Sequence, residues 1–169
     1  MIPYHPTVSW TETSLTRTAL QSCMALAGFI ALAFIAPLLS AGLNTGTWYH
    51  TLSLPAWAPP GWLFGPVWTA LYVLMGIAAW GVWRRRGWTT PLKLWLIQLA
   101  LNAAWTPLFF ALHLPGLAFA ELVVLWLAIM ATLYAFGQVE SWSAWLLTPY
   151  LAWVTFAAVL NYEIWRLNS

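Results

Sequence analysis

Five long apolar stretches alternate with short polar, charged or proline-containing segments along the chain. An α-helix rises 1.5 Å per residue, so about 20 apolar residues cross the roughly 30 Å hydrocarbon layer of a bilayer. The pattern therefore predicts an all-α integral membrane protein, a bundle of five transmembrane helices. The predicted spans are 18–41, 64–83, 92–112, 117–136 and 143–167, within one membrane domain (18–169) that follows a polar, poorly ordered tail (1–17).

Polar and aromatic side chains share one helical face in two of these spans. In the third span, Gln98, Asn102, Trp105 and Phe109 lie at i, i+4, i+7 and i+11, which places them on one side of the helix. The fifth span has a similar face, formed by Tyr150, Trp153, Ala157 and Asn161, and Pro149 is expected to kink this helix near its start. Amides are costly in hydrocarbon, so both faces are predicted to turn inward. They either join helices by hydrogen bonds or contact a ligand, and both roles remain open.

The segment from Trp48 to Tyr72 links the first span to the second and is rich in tryptophan and proline. Proline fixes φ and removes an amide donor, so we predict a rigid, partly extended loop until Pro66 opens the second helix. The tryptophans indicate either an aromatic belt at the membrane surface or a lid over a ligand site. Trp68, one turn inside the helix, favours the lid.

Composition excludes several classes of protein, because 62% of residues are hydrophobic and 6% are charged. The single cysteine excludes a disulfide within the chain and a cysteine-based metal site. His5, His50 and His113 lie outside the predicted spans, so no span histidine is expected to ligate haem iron. A net charge of +2 is too small to indicate nucleic-acid binding.

The basic residues orient the predicted spans. One side of the membrane is flanked by Arg17, Arg84, Arg85, Arg86 and Lys93, and the other only by Arg166. The positive-inside rule therefore predicts a cytoplasmic N-terminus and an outside C-terminus. The loop after the first span and the turn at His113 then share the outer side. Helical spans make the bacterial inner membrane the expected location.

Small residues recur every four positions in the first span, at Ala19, Cys23, Ala27 and Ala31. Such a ridge lets membrane helices approach closely. We predict that it packs against protein and that the chain forms a homodimer, although the same ridge would also serve packing within one bundle.

Two acidic positions lie near span ends. Glu121 follows closely on the start of the fourth span, where a carboxylate is either functional or turned back toward the interface. Glu163 and Arg166, at i and i+3, are expected to form an interfacial ion pair.

A set of tryptophan and proline motifs carries a family resemblance. They include Trp48-Tyr49, Trp57, Pro59-Pro60, Gly65-Pro66, Trp68, Gln98-Leu99-Ala100-Leu101-Asn102, Pro149-Tyr150-Leu151-Ala152-Trp153 and Leu160-Asn161-Tyr162. In order and spacing the chain resembles the TspO/MBR family of tryptophan-rich sensory proteins, which includes the mitochondrial translocator protein. The resemblance extends from the first span to Asn168.

The resemblance implies a five-helix bundle, often dimeric, that binds porphyrins, sterols and aromatic drugs beneath the loop after the first helix. It implies pocket contacts at Ala27, Ile30, Phe64, Gly65, Val67, Trp68, Asn102, Trp105, Val124, Ala157 and Leu160. To these we add the candidates Trp57, Tyr72, Gln98, Tyr150, Trp153 and Asn161.

The resemblance also assigns more specific roles. Trp68 and Trp153 match tryptophans proposed to act when light degrades bound porphyrin. Leu160, Tyr162 and Arg166 fit a sterol-recognition pattern that is common by chance. Two departures limit the transfer of drug and sterol preferences: Leu117 replaces a pocket tryptophan of animal members, and Glu163 interrupts the sterol motif.

Three functional hypotheses follow. The first is a membrane receptor or transport-type protein for tetrapyrroles, with porphyrin or haem as ligand rather than obligatory cofactor, that regulates tetrapyrrole levels or stress signalling. The second is a light-dependent, porphyrin-degrading enzyme. The third is a structural or lipid-handling bundle. The sequence contains no pairing of a nucleophile with a general base that would indicate thermal catalysis, and no metal site is predicted.

Overall fold

Helices account for nearly all of the regular structure in residues 11–40 and 47–169, which the computed structural model describes. The helices are α1 (Thr11–Ala33), α2 (Ile35–Ser40), α3 (Trp48–Thr51), α4 (Phe64–Arg86), α5 (Thr90–Thr106), α6 (Pro115–Gly137), α7 (Ser141–Trp145) and α8 (Thr148–Leu167). A 3₁₀ turn at Gly61–Leu63 precedes α4, and a π-helical turn at Pro107–Ala111 continues α5. These two ranges contain no strand.

Among the described residues, five helical segments are long and apolar enough to cross a membrane. Numbered as spans 1 to 5, they are Ala19–Leu38, Gly61–Arg86, Thr90–Ala111, Pro115–Gly137 and Ser141–Leu167. The predicted five-helix membrane fold is therefore confirmed. Helix α1 begins at Thr11, inside the predicted tail, while residues 1–10 and the predicted end of span 1 at residue 41 lie outside the described residues.

Span 5 is interrupted near its start. Helix α7 ends at Trp145 and α8 begins at Thr148, so the break precedes Pro149, which was predicted to kink the helix. Pro149 occupies the first turn of α8, where its missing N–H leaves no helical hydrogen bond unmade. The structure thus shows a break just before Pro149 rather than a bend at it.

Contacts between pairs of helices arrange the five spans in a ring. Span 1 packs on span 2, span 2 on span 5 through α7, span 5 on span 4, span 4 on span 3, and span 3 on α2 of span 1. Each span therefore turns one face to a common interior. Spans 1 and 2 approach closely because Gly76 has no side chain: a Cβ there would lie 2.6 Å from Ile30 Cα.

The small-residue ridge of span 1 does not pack inside this bundle. Ala19, Cys23, Ala27 and Ala31 are all exposed within the chain. Phe29 and Ala33 are buried on the other side of the helix. A packing role for the ridge would therefore require a second molecule, and the homodimer stays a prediction.

Contacts between the connecting segments show at which end of the bundle each of them lies. Trp48 stacks on His113 with ring centroids 4.2 Å apart, and the Ser53 amide donates to Asn168 Oδ1 over 2.9 Å. The loop after span 1, the His113 turn and the C-terminus thus lie at one end. Arg85 pairs with Glu140, the residue before α7, at the other end. Which end faces the cytoplasm stays a prediction.

Candidate ligand-binding site

A cavity of about 230 Å³ lies at the centre of the ring and receives side chains from all five spans. We call it the inner chamber. Its lining residues are Ala36, Pro37, Phe64, Trp68, Tyr72, Asn102, Trp105, Thr106, Leu122, Leu125, Trp153, Val154 and Ala157. The wall is apolar and aromatic, with few polar groups, which is the usual make-up of small-molecule sites.

A second cavity of about 470 Å³ extends the first toward the loop after span 1. We call it the outer chamber. It is lined by Tyr49, His50, Gly61, Phe64, Trp68, Trp105, Thr106, Phe109, Phe110, Ala157, Leu160, Asn161 and Ile164. Five residues belong to both walls: Phe64, Trp68, Trp105, Thr106 and Ala157. The two chambers therefore adjoin one another.

The loop at 47–63, which we call the lid, covers the outer chamber and is attached on two sides. Trp48 packs edge-on against Phe109, with centroids 5.7 Å apart. Trp57 packs on Phe156 of α8 at 5.9 Å. The lid contains the helical turn α3 and the 3₁₀ turn Gly61–Leu63. Between them the Ala58 amide donates to the Pro55 carbonyl over 2.9 Å. Burial raises the pKa of the lid residue Tyr49, so its phenol stays neutral near pH 7.

The lid is also hydrogen-bonded to the end of α8. Asn168 Oδ1 accepts from the Ser53 amide, and Asn168 Nδ2 donates to the Ser53 carbonyl over 3.0 Å. The same Nδ2 donates to the carbonyl of Ile164 over 2.7 Å, which orients the side chain. One asparagine therefore connects the lid to span 5.

Asn102 joins three spans at the wall of the inner chamber. The Tyr72 hydroxyl of span 2 donates to Asn102 Oδ1 over 2.7 Å, and Asn102 Nδ2 donates to the Tyr150 hydroxyl of span 5 over 3.3 Å. All three residues are buried. The amide thus links helices and lines the cavity at once. Two of its four hydrogen-bonding positions remain for a ligand.

Trp105 is fixed at the boundary of the two chambers. Its Nε1 donates to Asn161 Oδ1 over 3.0 Å, and Asn161 Nδ2 donates to the Pro115 carbonyl over 2.7 Å. Its ring stacks on Phe109 with centroids 5.2 Å apart and planes 24° apart. Because the indole N–H is already bonded, Trp105 presents an apolar ring surface to the cavity.

Trp68 and Trp153 complete the aromatic wall. Trp68 stacks on Tyr72, with centroids 5.4 Å apart and planes 24° apart. Trp153 packs edge-on against Phe64 at 5.7 Å. The Nε1 atom of Trp153 is buried and has no hydrogen-bond partner in the described part of the chain, so it is a donor available to a bound molecule.

The π-helical turn supplies two wall residues, of which Phe109 was predicted on the inward face of span 3 and Phe110 was not. Phe109 and Phe110 are adjacent in sequence, yet both line the outer chamber and both pack on Trp105. The wider turn is closed by the Leu112 amide on the Pro107 carbonyl at 2.9 Å. Pro107 inside an apolar span was the available signal, because proline distorts helices and π turns concentrate at functional sites.

Several predicted ligand contacts lie elsewhere. Val124 is 51% exposed, and Leu122 and Leu125 line the inner chamber in its place. Gln98 is 1% exposed and approaches Met75 Sδ at 3.9 Å, but it lines neither chamber. The others outside both walls are Ala27, Ile30, Trp57, Gly65, Val67 and Tyr150.

The sterol pattern is divided between the inside and the outside of the bundle. Leu160 is buried and lines the outer chamber. Tyr162 is exposed and packs on Phe119. Arg166 Nη2 lies 2.8 Å from Glu163 Oε2, which confirms the predicted ion pair. These side chains therefore do not form one common surface.

Glu121 lines neither chamber. Both carboxylate oxygens are buried and have no hydrogen-bond partner among the described residues. The same residues contain no group of three His, Cys, Asp or Glu side chains that could hold a metal ion. The walls of the two chambers therefore offer aromatic faces, the amides of Asn102 and Asn161, the imidazole of His50 and the hydroxyl groups of Tyr49, Tyr72 and Thr106.

Comparison with known proteins is consistent with the motifs and the fold. The model of the TspO/MBR family matches residues 23–166. The "Tryptophan-rich sensory protein" of Cereibacter sphaeroides is 43% identical over 126 residues, covering 75% of this chain and 80% of the relative. "Protein CrtK" of Rhodobacter capsulatus is 41% identical over 129 residues, covering 74% and 81%.

The similarity extends to animals. The human "Translocator protein" is 45% identical over 126 residues, covering 72% of this chain and 75% of the relative. The region that the family model matches, 23–166, includes spans 2 to 4 in full and every wall residue of the two chambers. The chain belongs to the TspO/MBR family.

Proposed function

We propose that this protein binds a flat, largely apolar aromatic macrocycle, a tetrapyrrole such as a porphyrin, across the two adjoining chambers. The observation that carries the proposal is the arrangement of Trp68, Trp105 and Trp153 around the two adjoining chambers, the outer of which lies beneath the lid. Aromatic faces attract other aromatic rings by offset or edge-to-face stacking. A flat macrocycle presents a large surface for such contacts.

The size and chemistry of the chambers support this ligand class. The outer chamber, at about 470 Å³, lies within the range of roughly 300–1,000 Å³ typical of small-molecule sites. Polar groups are few: Asn102 retains unused hydrogen-bonding positions, and Trp153 Nε1 is unpartnered among the described residues. These groups would orient the polar substituents of a macrocycle, and the rings would hold its face.

The family relationship supports a membrane receptor or transport-type role for the chain. We propose that tetrapyrrole binding serves this role by controlling tetrapyrrole levels or by reporting them to a stress response. The lid lies between the outer chamber and one end of the bundle, so its opening would admit or release the ligand. We also propose that the protein acts as a homodimer, with Ala27 and Ala31 of the exposed ridge of span 1 at the contact surface.

Titration of the purified protein with protoporphyrin IX in detergent tests the binding proposal, with quenching of tryptophan fluorescence as the readout. Trp68→Phe should weaken binding about tenfold or less, because stacking on tryptophan contributes roughly 0.5–1.5 kcal/mol beyond area burial. Trp145→Phe is the matched control, since Trp145 is 73% exposed and lies outside both chambers. Equal affinity of all three proteins would refute the proposed site.

Light-dependent degradation of the bound porphyrin is the second candidate function. It is favoured by the location of Trp68 and Trp153 in the wall of the same chamber, where either ring could exchange an electron with an excited ligand. At saturating porphyrin, Trp68→Phe or Trp153→Phe should then abolish the light-dependent loss of porphyrin absorbance. Undiminished loss in the double variant would eliminate this candidate and leave the binding proposal in place.

Sterol and lipid binding has weaker geometric support. Only Leu160 of the predicted motif lines a chamber, whereas Tyr162 is exposed and Arg166 pairs with Glu163. A sterol bound by this motif would lie on the outer surface of span 5, separate from the tetrapyrrole. Competition between a sterol and protoporphyrin IX would place both ligands in the chambers instead.

A further inference from the structure

The charged end of the bundle has a second concave surface, separate from both chambers. A groove of about 710 Å³ lies between the start of span 1 and the end of α4. Its walls include Gln21, Ser22, Cys23, Trp83, Arg84 and Gly87, and none of these lines either chamber. We call this surface the basic groove.

Arg84 is held in place at this groove by a chain of contacts. Trp80 Nε1 donates to the Ser22 carbonyl over 2.9 Å, which fixes the indole against span 1. Arg84 Cζ lies 4.7 Å from the centroid of the Trp80 ring. Such a cation–π contact occupies the face of the guanidinium and leaves its N–H edge available to an anion. The arginine is therefore preorganised.

The groove carries uncompensated positive charge. Three consecutive arginines end α4, and Arg85 is paired with Glu140. Arg84 and Arg86 form no ion pair among the residues that the structure describes. The described wall contains no acidic side chain, while Gln21 and Ser22 add neutral hydrogen-bonding groups. Its chemistry therefore matches an oxyanion with several acceptor oxygens.

The position of the groove identifies the source of that oxyanion. Span 2 ends at Arg86, so Arg84 and Gly87 lie where hydrocarbon gives way to lipid headgroups. Trp88, immediately beyond, is 59% exposed, as is common for tryptophan at a membrane surface. Gly87 has φ 64° and open space at its Cβ position, so the groove stays wide where α4 ends.

We propose that the basic groove binds the phosphate of an anionic phospholipid, with Arg84 as the principal contact. The bilayer brings this phosphate to the level of Arg84, whereas free phosphate has no such enrichment. The site is independent of the two chambers and of any ligand bound there. It would anchor the basic end of the bundle to an anionic leaflet.

The chain contains a built-in reporter for the test. Cys23 is its single cysteine, is exposed and lines the basic groove. The full-length protein is reconstituted in phosphatidylcholine vesicles with or without phosphatidylglycerol, and the rate of Cys23 alkylation by a neutral maleimide is measured. Phosphatidylglycerol should slow the reaction about fivefold, corresponding to about 1 kcal/mol for one basic residue at a membrane surface. Inorganic phosphate should not slow it.

Matched variants separate a specific site from general surface charge. Arg84→Gln should abolish the protection, whereas Arg86→Gln, which removes the same charge from a residue outside the groove wall, should retain it. Ala19→Phe, at another wall position, should abolish protection by filling the groove without a change of charge. If Arg84→Gln does not fold, the result for Ala19→Phe decides whether the lipid binds in the groove.

Four results would overturn the proposal. Equal loss of protection in Arg84→Gln and Arg86→Gln would show a diffuse charge effect. Retained protection in both Arg84→Gln and Ala19→Phe would place the lipid elsewhere. Equal protection by inorganic phosphate would remove the lipid from the site. An unreactive Cys23 in pure phosphatidylcholine would mean that another segment of the chain fills the groove.

Discussion

Replacement of Asn102 by leucine should both loosen the bundle and alter the ligand site. Leucine matches asparagine closely in size but cannot accept from the Tyr72 hydroxyl or donate to that of Tyr150, bonds of 2.7 and 3.3 Å. All three residues are buried, so both phenols lose a buried hydrogen-bond partner. The perturbation therefore removes the one amide that joins spans 2, 3 and 5.

The size of the effect follows from the two distances. Hydrogen bonds between helices in membranes contribute about 0.6 kcal/mol on average and up to about 1.7 kcal/mol. The 2.7 Å bond from Tyr72 should lie near the upper value, and the 3.3 Å bond to Tyr150 near or below the average. Asn102→Leu should thus lower the free energy of unfolding by about 1–2 kcal/mol.

A double-mutant cycle of Asn102→Leu and Tyr72→Phe, measured by unfolding in mixed detergent and dodecyl sulfate, isolates the shorter bond. The coupling should be about 1 kcal/mol or more. Thr155→Val is a control, since it removes the bond from Trp126 to Thr155 outside both chambers. It should lower stability without affecting porphyrin affinity. A coupling below about 0.3–0.5 kcal/mol, the range within which independent sites add, would refute the network.

Three further predictions address the lid, the cavity and the topology. Asn168→Ala removes both bonds to Ser53, each contributing about 0.5–1.5 kcal/mol, and should accelerate porphyrin dissociation several-fold in stopped flow, whereas an unchanged rate would mean that the lid does not control exit. Ala157→Thr adds bulk between the two chambers, so it should weaken macrocycles while sparing small aromatic ligands in competition titrations; equal weakening of both would argue against a size effect. Alkaline phosphatase fused after Ser169 should be active outside the cytoplasm, and a silent fusion beside an active cytoplasmic reporter would reverse the predicted orientation.

The sequence by itself determined the number of spans and the existence of an inward polar face. Both depend on local properties. The length of each apolar stretch matches the thickness of the hydrocarbon layer, and the 3.6-residue period places Asn102 and Trp105 on one side of their helix. Proline spacing likewise indicated a largely non-helical lid, since proline restricts its own backbone whatever surrounds it. These features require no knowledge of the neighbouring helices.

Only the tertiary structure decided how each helix is rotated about its axis. Span 4 is apolar on nearly every side, so its sequence pattern could not show that Leu122 and Leu125, rather than Val124, line the inner chamber. In a membrane both the lipid-facing and the protein-facing surfaces are apolar, and the periodic signal that distinguishes them in water is largely lost. The ring order of the spans depends on the same packing and was equally absent from the pattern.

The chamber walls also depend on backbone irregularity and on contacts between distant residues. The π turn brings Phe109 and Phe110 to one wall, although a regular helix would separate adjacent side chains by about 100°. Asn168 is hydrogen-bonded to Ser53, which lies 115 residues earlier in the sequence. The small-residue ridge of span 1 stays exposed, and the close approach of spans 1 and 2 occurs instead where Gly76 meets Ile30. Local sequence specified each helix, and the fit between helices specified the cavity.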